Sequence, residues 1–120
     1  MAKQNEKYMI HRMNLNPGPF DFIKSGRKTI EMRLFDERRQ LIAVGDRIIF
    51  INTGNSDFSL EVLVTNLFRY PSFDGLYEHH DKASLGYLDG EVADPKDMEK
   101  YYNPENIQKY GVVGIEVKLI

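Results

Sequence analysis

Apolar positions along this chain fall into short blocks separated by turn residues, and most blocks carry the spacing of strands rather than long helices. KYMIHRMNL (7–15) predicts a first strand, rich in β-branched and aromatic side chains. NPGPF follows as a turn, and PFDFIKSG predicts a short helix with Phe20 and Ile23 on its apolar face. Gly26 is placed to end that helix in a left-handed cap. KTIEMRLF (28–35) predicts the second strand, while DERRQLIA fits either a helical turn or a loop. Gly45-Asp46 then turns the chain into a third strand, Arg47–Asn52, which Thr53-Gly54-Asn55 ends. In SLEVLVTNLFRY (59–70), Leu60, Val62 and Val64 alternate with Glu61, Leu63 and Thr65, the pattern of a long and largely buried strand.

The next block is helical. Ser72 can cap a helix through SFDGLYEHH, and Asp94-Pro95 supplies an N-cap and a first-turn proline for PKDMEKYY. Asn103-Pro104 repeats the device for PENIQKY, which Gly111 closes, and VVGIEVKLI makes a final strand. The order β α β β β α α α β lacks the regular alternation of a doubly wound parallel sheet. It predicts an α+β fold, a small, mostly antiparallel barrel or curled sheet flanked by short helices, since closure removes exposed edges.

Composition bounds this picture without changing it. A chain of 120 residues, 42% hydrophobic and 28% charged, is expected to form one domain over 1–120, with a flexible tail at 1–6. There is no cysteine, which suits a reducing cytoplasm and removes thiolate chemistry. MAKQNEKYMIHRM has no signal-peptide core and no later segment approaches a membrane span, so a soluble cytoplasmic protein is expected, with no membrane partner. Oligomeric state is not readable. Charge is uneven: residues 1–50 hold ten Lys/Arg against six Asp/Glu, and residues 51–120 hold six against twelve. A basic site on an acidic body can still attract a polyanion, because association follows local potential.

The basic residues concentrate around Lys28. On a regular strand Glu31 and Arg33 share a face with Thr29, leaving Ile30, Met32 and Leu34 for the core. Lys28 has the opposite parity, but its long stem can bend round to the same cleft. An ion pair on a solvated face would account for such a pattern and would stabilise little.

The spacing Gly26-x-Lys28-x-x-Glu31-x-Arg33 resembles the signature of the ASCH domain family, part of the PUA-like superfamily. The glycine-ended helix before it, the Gly45-Asp46 turn and the closing GVVGIEV are similar too, so the likeness runs from about Tyr8 to Leu119. The resemblance implies a helix-flanked barrel with a cleft lined by the motif, and RNA or a nucleotide-like ligand as partner, in RNA metabolism, translation or transcription regulation. In such a cleft Lys28 and Arg33 suit phosphate or base-edge contacts, and Glu31 can orient Arg33 or accept from an exocyclic amine. Arg27, with Lys24, Arg38 and Arg39, extends the positive footprint. Among Phe35, Tyr70, Phe73 and Tyr77, core packing is the expected role for most, with Tyr70 taken as a ligand contact.

The same resemblance carries an enzymatic alternative, because some members are N4-acetylcytidine amidohydrolases and others have been described as ribonucleases. Of the amidohydrolase's Lys, Thr and Glu, the lysine falls on Lys28, the threonine on Glu31, and the glutamate near Ser84, with Glu78 and Asp81 only neighbours. A carboxylate beside a lysine favours the ammonium form, whereas a nucleophilic amine must be neutral. If the chain is an enzyme, Lys28 and Glu31 are the catalytic candidates, with Glu31 as general base.

No cofactor is expected, and no phosphate loop, dinucleotide fingerprint or serine elbow occurs. No metal is expected either: His79 and His80 lie about 100° apart on a helix and lack a third well-spaced ligand. They are expected at an exposed helix end, and His11 as a half-buried structural residue. LGYLDGEVADP (85–95) is expected to be a plain surface connection rather than a lid.

Overall fold

The computed structural model describes residues 7–120, so the expected tail at 1–6 lies outside the described residues. The elements are β1 (Ile10–Leu15), α1 (Pro17–Lys24), β2 (Ile30–Leu34), β3 (Arg47–Asn52), β4 (Ser59–Tyr70), α2 (Phe73–His79), α3 (Lys82–Leu85), α4 (Pro104–Tyr110) and β5 (Val112–Leu119). Short 3-10 turns cover Arg39–Leu41 and Pro95–Lys100. The five strands form one sheet in the order β1-β3-β4-β5-β2. All neighbours are antiparallel except β1 and β3, which run parallel.

The sheet curls into a half-barrel, and side chains reach across from one edge strand to the other. Arg33 on β2 donates from Nη2 to the carbonyl of Asn14 on β1 at 2.8 Å. Arg38, just beyond β2, donates to the carbonyl of Arg12 at 3.3 Å. Two arginines thus satisfy backbone acceptors that an open edge would leave to solvent.

Both faces of the β2–β5 end are buried. The concave interior holds Met13, Leu15, Ile48, Phe50, Val62, Val64, Val113, Ile115 and Val117, closed by Phe20 and Ile23 of α1. The outer face carries a second cluster in which Ile30, Met32 and Leu34 pack against Phe73, Leu76, Leu85 and Met98. Cross-strand partners share a face, so the pairs Glu31–Ile115 and Arg33–Val113 put both charged side chains on the inner face. The alternation expected for β2 is therefore right in phase, but its charged face is not a wet one. The helices of the 72–110 segment cover one side of β2 and the barrel interior lies on the other.

The helical segment differs from expectation in detail. The predicted helix at 72–80 ends at His79, and a further single turn, α3, follows. Ser72 makes no side-chain cap, while Asp94 and Asn103 accept from the backbone N–H of Lys96 and Asn106 as their positions predict. The helix predicted after Pro95 is a 3-10 turn. Gly111, at φ +71°, turns α4 into β5 so tightly that a Cβ there would lie 3.0 Å from the Tyr70 carbonyl oxygen.

Candidate functional site

The motif strand begins where three pieces of chain are tied together. The N–H groups of Arg27 and Lys28 both donate to the Phe22 carbonyl, and Thr29 N–H donates to the Ser84 carbonyl. This knot, between the end of α1 and α3, fixes the direction in which Lys28 leaves the backbone. Its stem runs along Gly86, which sits at φ +104° and whose missing Cβ would come 3.1 Å from Lys28 Cδ. The backbone conformation calls for glycine there, and a Cβ would also press on the lysine stem lying against it.

Lys28 Nζ reaches Glu31 Oε1 at 2.9 Å, and Arg33 Nε reaches Glu31 Oε2 at 2.7 Å. Lys28 is 8% exposed and Glu31 is 5% exposed. Burial alone would push the Glu31 carboxyl up. The charges and hydrogen bonds of Lys28 and Arg33 outweigh that penalty and hold it below the usual carboxylate range. Arg33 divides its donors between Glu31 and Asn14, so the motif and the barrel closure share one guanidinium. The triad carries two positive charges against one negative.

All three side chains line a cavity of about 660 Å³, inside the range of roughly 300–1,000 Å³ common for small-ligand pockets. The opposite lining comes from the 72–110 segment: Tyr77, Tyr87, Asp97 and Lys100, with Tyr101 and Tyr102. Asn14, Asn16 and Thr53 complete the rim, where Thr53 Oγ1 donates to Asn16 Oδ1 at 2.9 Å. Burial pushes the hydroxyls of Tyr77, Tyr87 and Tyr102 above the ordinary tyrosine range, so all three stay protonated at neutral pH. Lys28, Arg33 and Lys100 face two carboxylates, Glu31 and Asp97, leaving an excess of one positive charge.

Of the residues expected at a site, Lys28, Glu31, Arg33 and Tyr77 meet in this cavity. Arg27 lines a smaller neighbouring hollow and rests over the Phe22 ring. Tyr70 lies outside the cavity: its hydroxyl is 2.9 Å from His80 Nε2, and its ring stacks on His79. Phe73 is core, and Phe35 lies beneath the Arg69 guanidinium. His79 is exposed and His80 half-buried, and no group of three or more metal-ligating side chains occurs among the described residues. His11 is half-buried against Asp46.

The sequence reading missed Tyr87, Asp97 and Lys100. One signal was available, since five of the seven tyrosines fall between residues 72 and 110. Tyr87 sits in the segment read as a plain connection, whose N-terminal end is a cavity wall rather than only surface.

Among the described residues no helix is long and apolar enough to cross a membrane. The hypothetical protein PH0355, known from a crystal structure, is 35% identical to this chain with a TM-score of 0.78. That alignment covers 93% of this chain and all of the other. A Pyrococcus furiosus protein solved by NMR is 32% identical with a TM-score of 0.65, covering 93% of this chain and 98% of that one. The ASCH protein of Zymomonas mobilis shares the fold, with a TM-score of 0.63 at 16% identity over 91% of this chain and 66% of that chain. A search of curated proteins returns no match. The ASCH domain family profile matches residues 13–120, and the chain belongs to the ASCH family.

Proposed function

We propose that the chain binds RNA, or a nucleotide-like ligand of the same chemistry, with one nucleotide seated in the Lys28–Glu31–Arg33 cavity. The observation that carries this reading is a buried charge triad with spare hydrogen-bonding capacity beside a cavity of ligand size. Lys28 uses one of its three donors on Glu31, and Arg33 retains N–H groups beyond those on Glu31 and Asn14. The excess positive charge favours a phosphate, while tyrosine rings and the Met32 and Met98 side chains offer apolar surface to a base.

The hydrolase alternative draws less support. Glu31 has two cations on it and a lowered proton affinity, which suits an acceptor that orients donors better than a general base. Ser84 adds no carboxylate at the position where the amidohydrolase glutamate would fall.

Titrating the full chain with short single-stranded RNA and with cytidine 5′-monophosphate, at low and high salt, tests the binding reading. Affinity for the oligonucleotide should fall as salt rises. Arg33→Lys and Lys28→Met should weaken binding by about tenfold or more while the proteins remain folded by thermal unfolding. Folded variants that bind as tightly as the parent would remove the cavity from the account.

A further inference from the structure

The wall of the cavity facing the motif contains a hydrogen-bonded chain whose direction can be read. The Tyr87 hydroxyl is 2.8 Å from Asp97 Oδ2 and 2.7 Å from the Tyr77 hydroxyl. A carboxylate only accepts, so the single proton of Tyr87 goes to Asp97; the Asp94 carbonyl, at 3.5 Å, is a poor competitor. The Tyr87 oxygen is then left to accept, and Tyr77 must donate to it. That spends the Tyr77 proton within the wall. What remains on Tyr77 is a lone pair, and Asp97 likewise has only acceptor capacity left.

We infer that Tyr77, Tyr87 and Asp97 form an acceptor wall that selects a ligand presenting an N–H donor, such as the amino group of a nucleobase, over the analogue carrying a carbonyl there. This rests on the proposed binding of a nucleotide and adds which base chemistry the cavity favours. Each wall is mixed: the acceptor Glu31 sits among the donors of the motif, and the donor Lys100 and the hydroxyls of Tyr101 and Tyr102 lie on the side of Tyr77, Tyr87 and Asp97. Lys28 and Arg33 offer donors to a phosphate or ring carbonyl, and the tyrosine wall offers acceptors to an amine. A carbonyl turned toward Tyr77 would meet another oxygen with no proton between them, and an unpaired polar group in a buried site is strongly disfavoured.

Two pairs of nucleotides probe this term, cytidine against uridine 5′-monophosphate and adenosine against inosine 5′-monophosphate: each exchanges an exocyclic amino group for a carbonyl, and with it the adjoining ring nitrogen changes from an acceptor to an N–H donor. Calorimetric titration of the full wild-type chain should give about tenfold tighter binding for the amino member of each pair. Asp97→Asn introduces an amide N–H that can donate to Tyr87, which frees the chain to run the other way. The preference should then shrink toward unity, and Tyr87→Phe should have the same effect by breaking the relay. Equal or reversed preference in the wild type, with binding intact, overturns the selectivity and leaves the binding proposal standing. An undiminished preference in folded Tyr87→Phe protein, where Tyr77 has no acceptor left for its proton within the wall, also overturns it. If none of the four nucleotides binds at millimolar concentration, the binding proposal fails and takes this inference with it.

Discussion

Two buried carboxylates, Glu31 and Asp46, sit in the same sheet-based fold and are held below their ordinary proton affinities, yet only one of them borders a cavity. Asp46 accepts from the backbone N–H groups of Met9 and Ala43 and from His11 Nε2, at 3.0, 2.9 and 2.9 Å. Two of its three donors are main chain, one in the turn into β3 and one just before β1. Such a carboxylate is a structural bolt. Glu31 is met by two long cations, each with donors to spare, and all three line open space. Burial of a charge therefore does not mark a binding site. Unspent donor capacity on its partners, next to a ligand-sized volume, is what separates the two.

The largest effect should come from Glu31. Replacing it by alanine leaves two buried cations facing each other, and unfolding in urea should show a loss of about 3–5 kcal/mol. Asp46→Ala should cost less, about 1–3 kcal/mol, since two of the three donors it abandons are neutral backbone N–H groups of exposed residues, Met9 and Ala43, and the third is His11. The comparison sharpens on binding. Asp46→Ala protein that remains folded should bind cytidine 5′-monophosphate like the parent, whereas equal loss of binding in both variants would erase the distinction drawn between them.

Acid should expose the two carboxylates together. Both have folded-state values below their ordinary ones, 4.5 for Glu31 and 3.8 for Asp46. The unfolded chain binds the protons first, so their contribution is complete above those ordinary values and is lost as pH falls through the lowered folded ones. Urea midpoints should be flat from neutral pH down to about 5 and then decline, with a shallower decline in Asp46→Asn. A midpoint that drops with the same slope in that variant would remove Asp46 from the linkage. The smallest effect is expected at Arg47–Glu61, whose side chains are 34% and 41% exposed. Glu61→Ala should change stability by less than about 1 kcal/mol and leave nucleotide binding unaltered.

Much of the frame was legible because local signals and tertiary structure agree. Asp94-Pro95 and Asn103-Pro104 start helical turns, and the alternation of 59–70 gives the long β4, whereas the first helix begins at Pro17, inside the stretch read as a turn. The spacing of Lys28, Glu31 and Arg33 pointed to three side chains that line one cavity, the candidate site. What the sequence hid were consequences of distant pairing. Parallel β1–β3 contact depends on the crossover through α1 and β2, which no local pattern encodes. The dry setting of Glu31 depends on Ile115 across the strand and on the helical cover, so a strand with charged alternate residues looked solvent-facing. Tyr87 and Asp97 are ten residues apart in turns without helical periodicity, and only the fold brings their side chains together.

The most direct test of the central claim is an amide chemical-shift titration of the full chain with cytidine 5′-monophosphate. Saturable shifts concentrated at Lys28–Arg33, at Asn14 and at Tyr77 and Tyr87 are predicted, with the turn around Asp46 unmoved. Shifts that avoid Lys28–Arg33, or none at millimolar nucleotide, would contradict it.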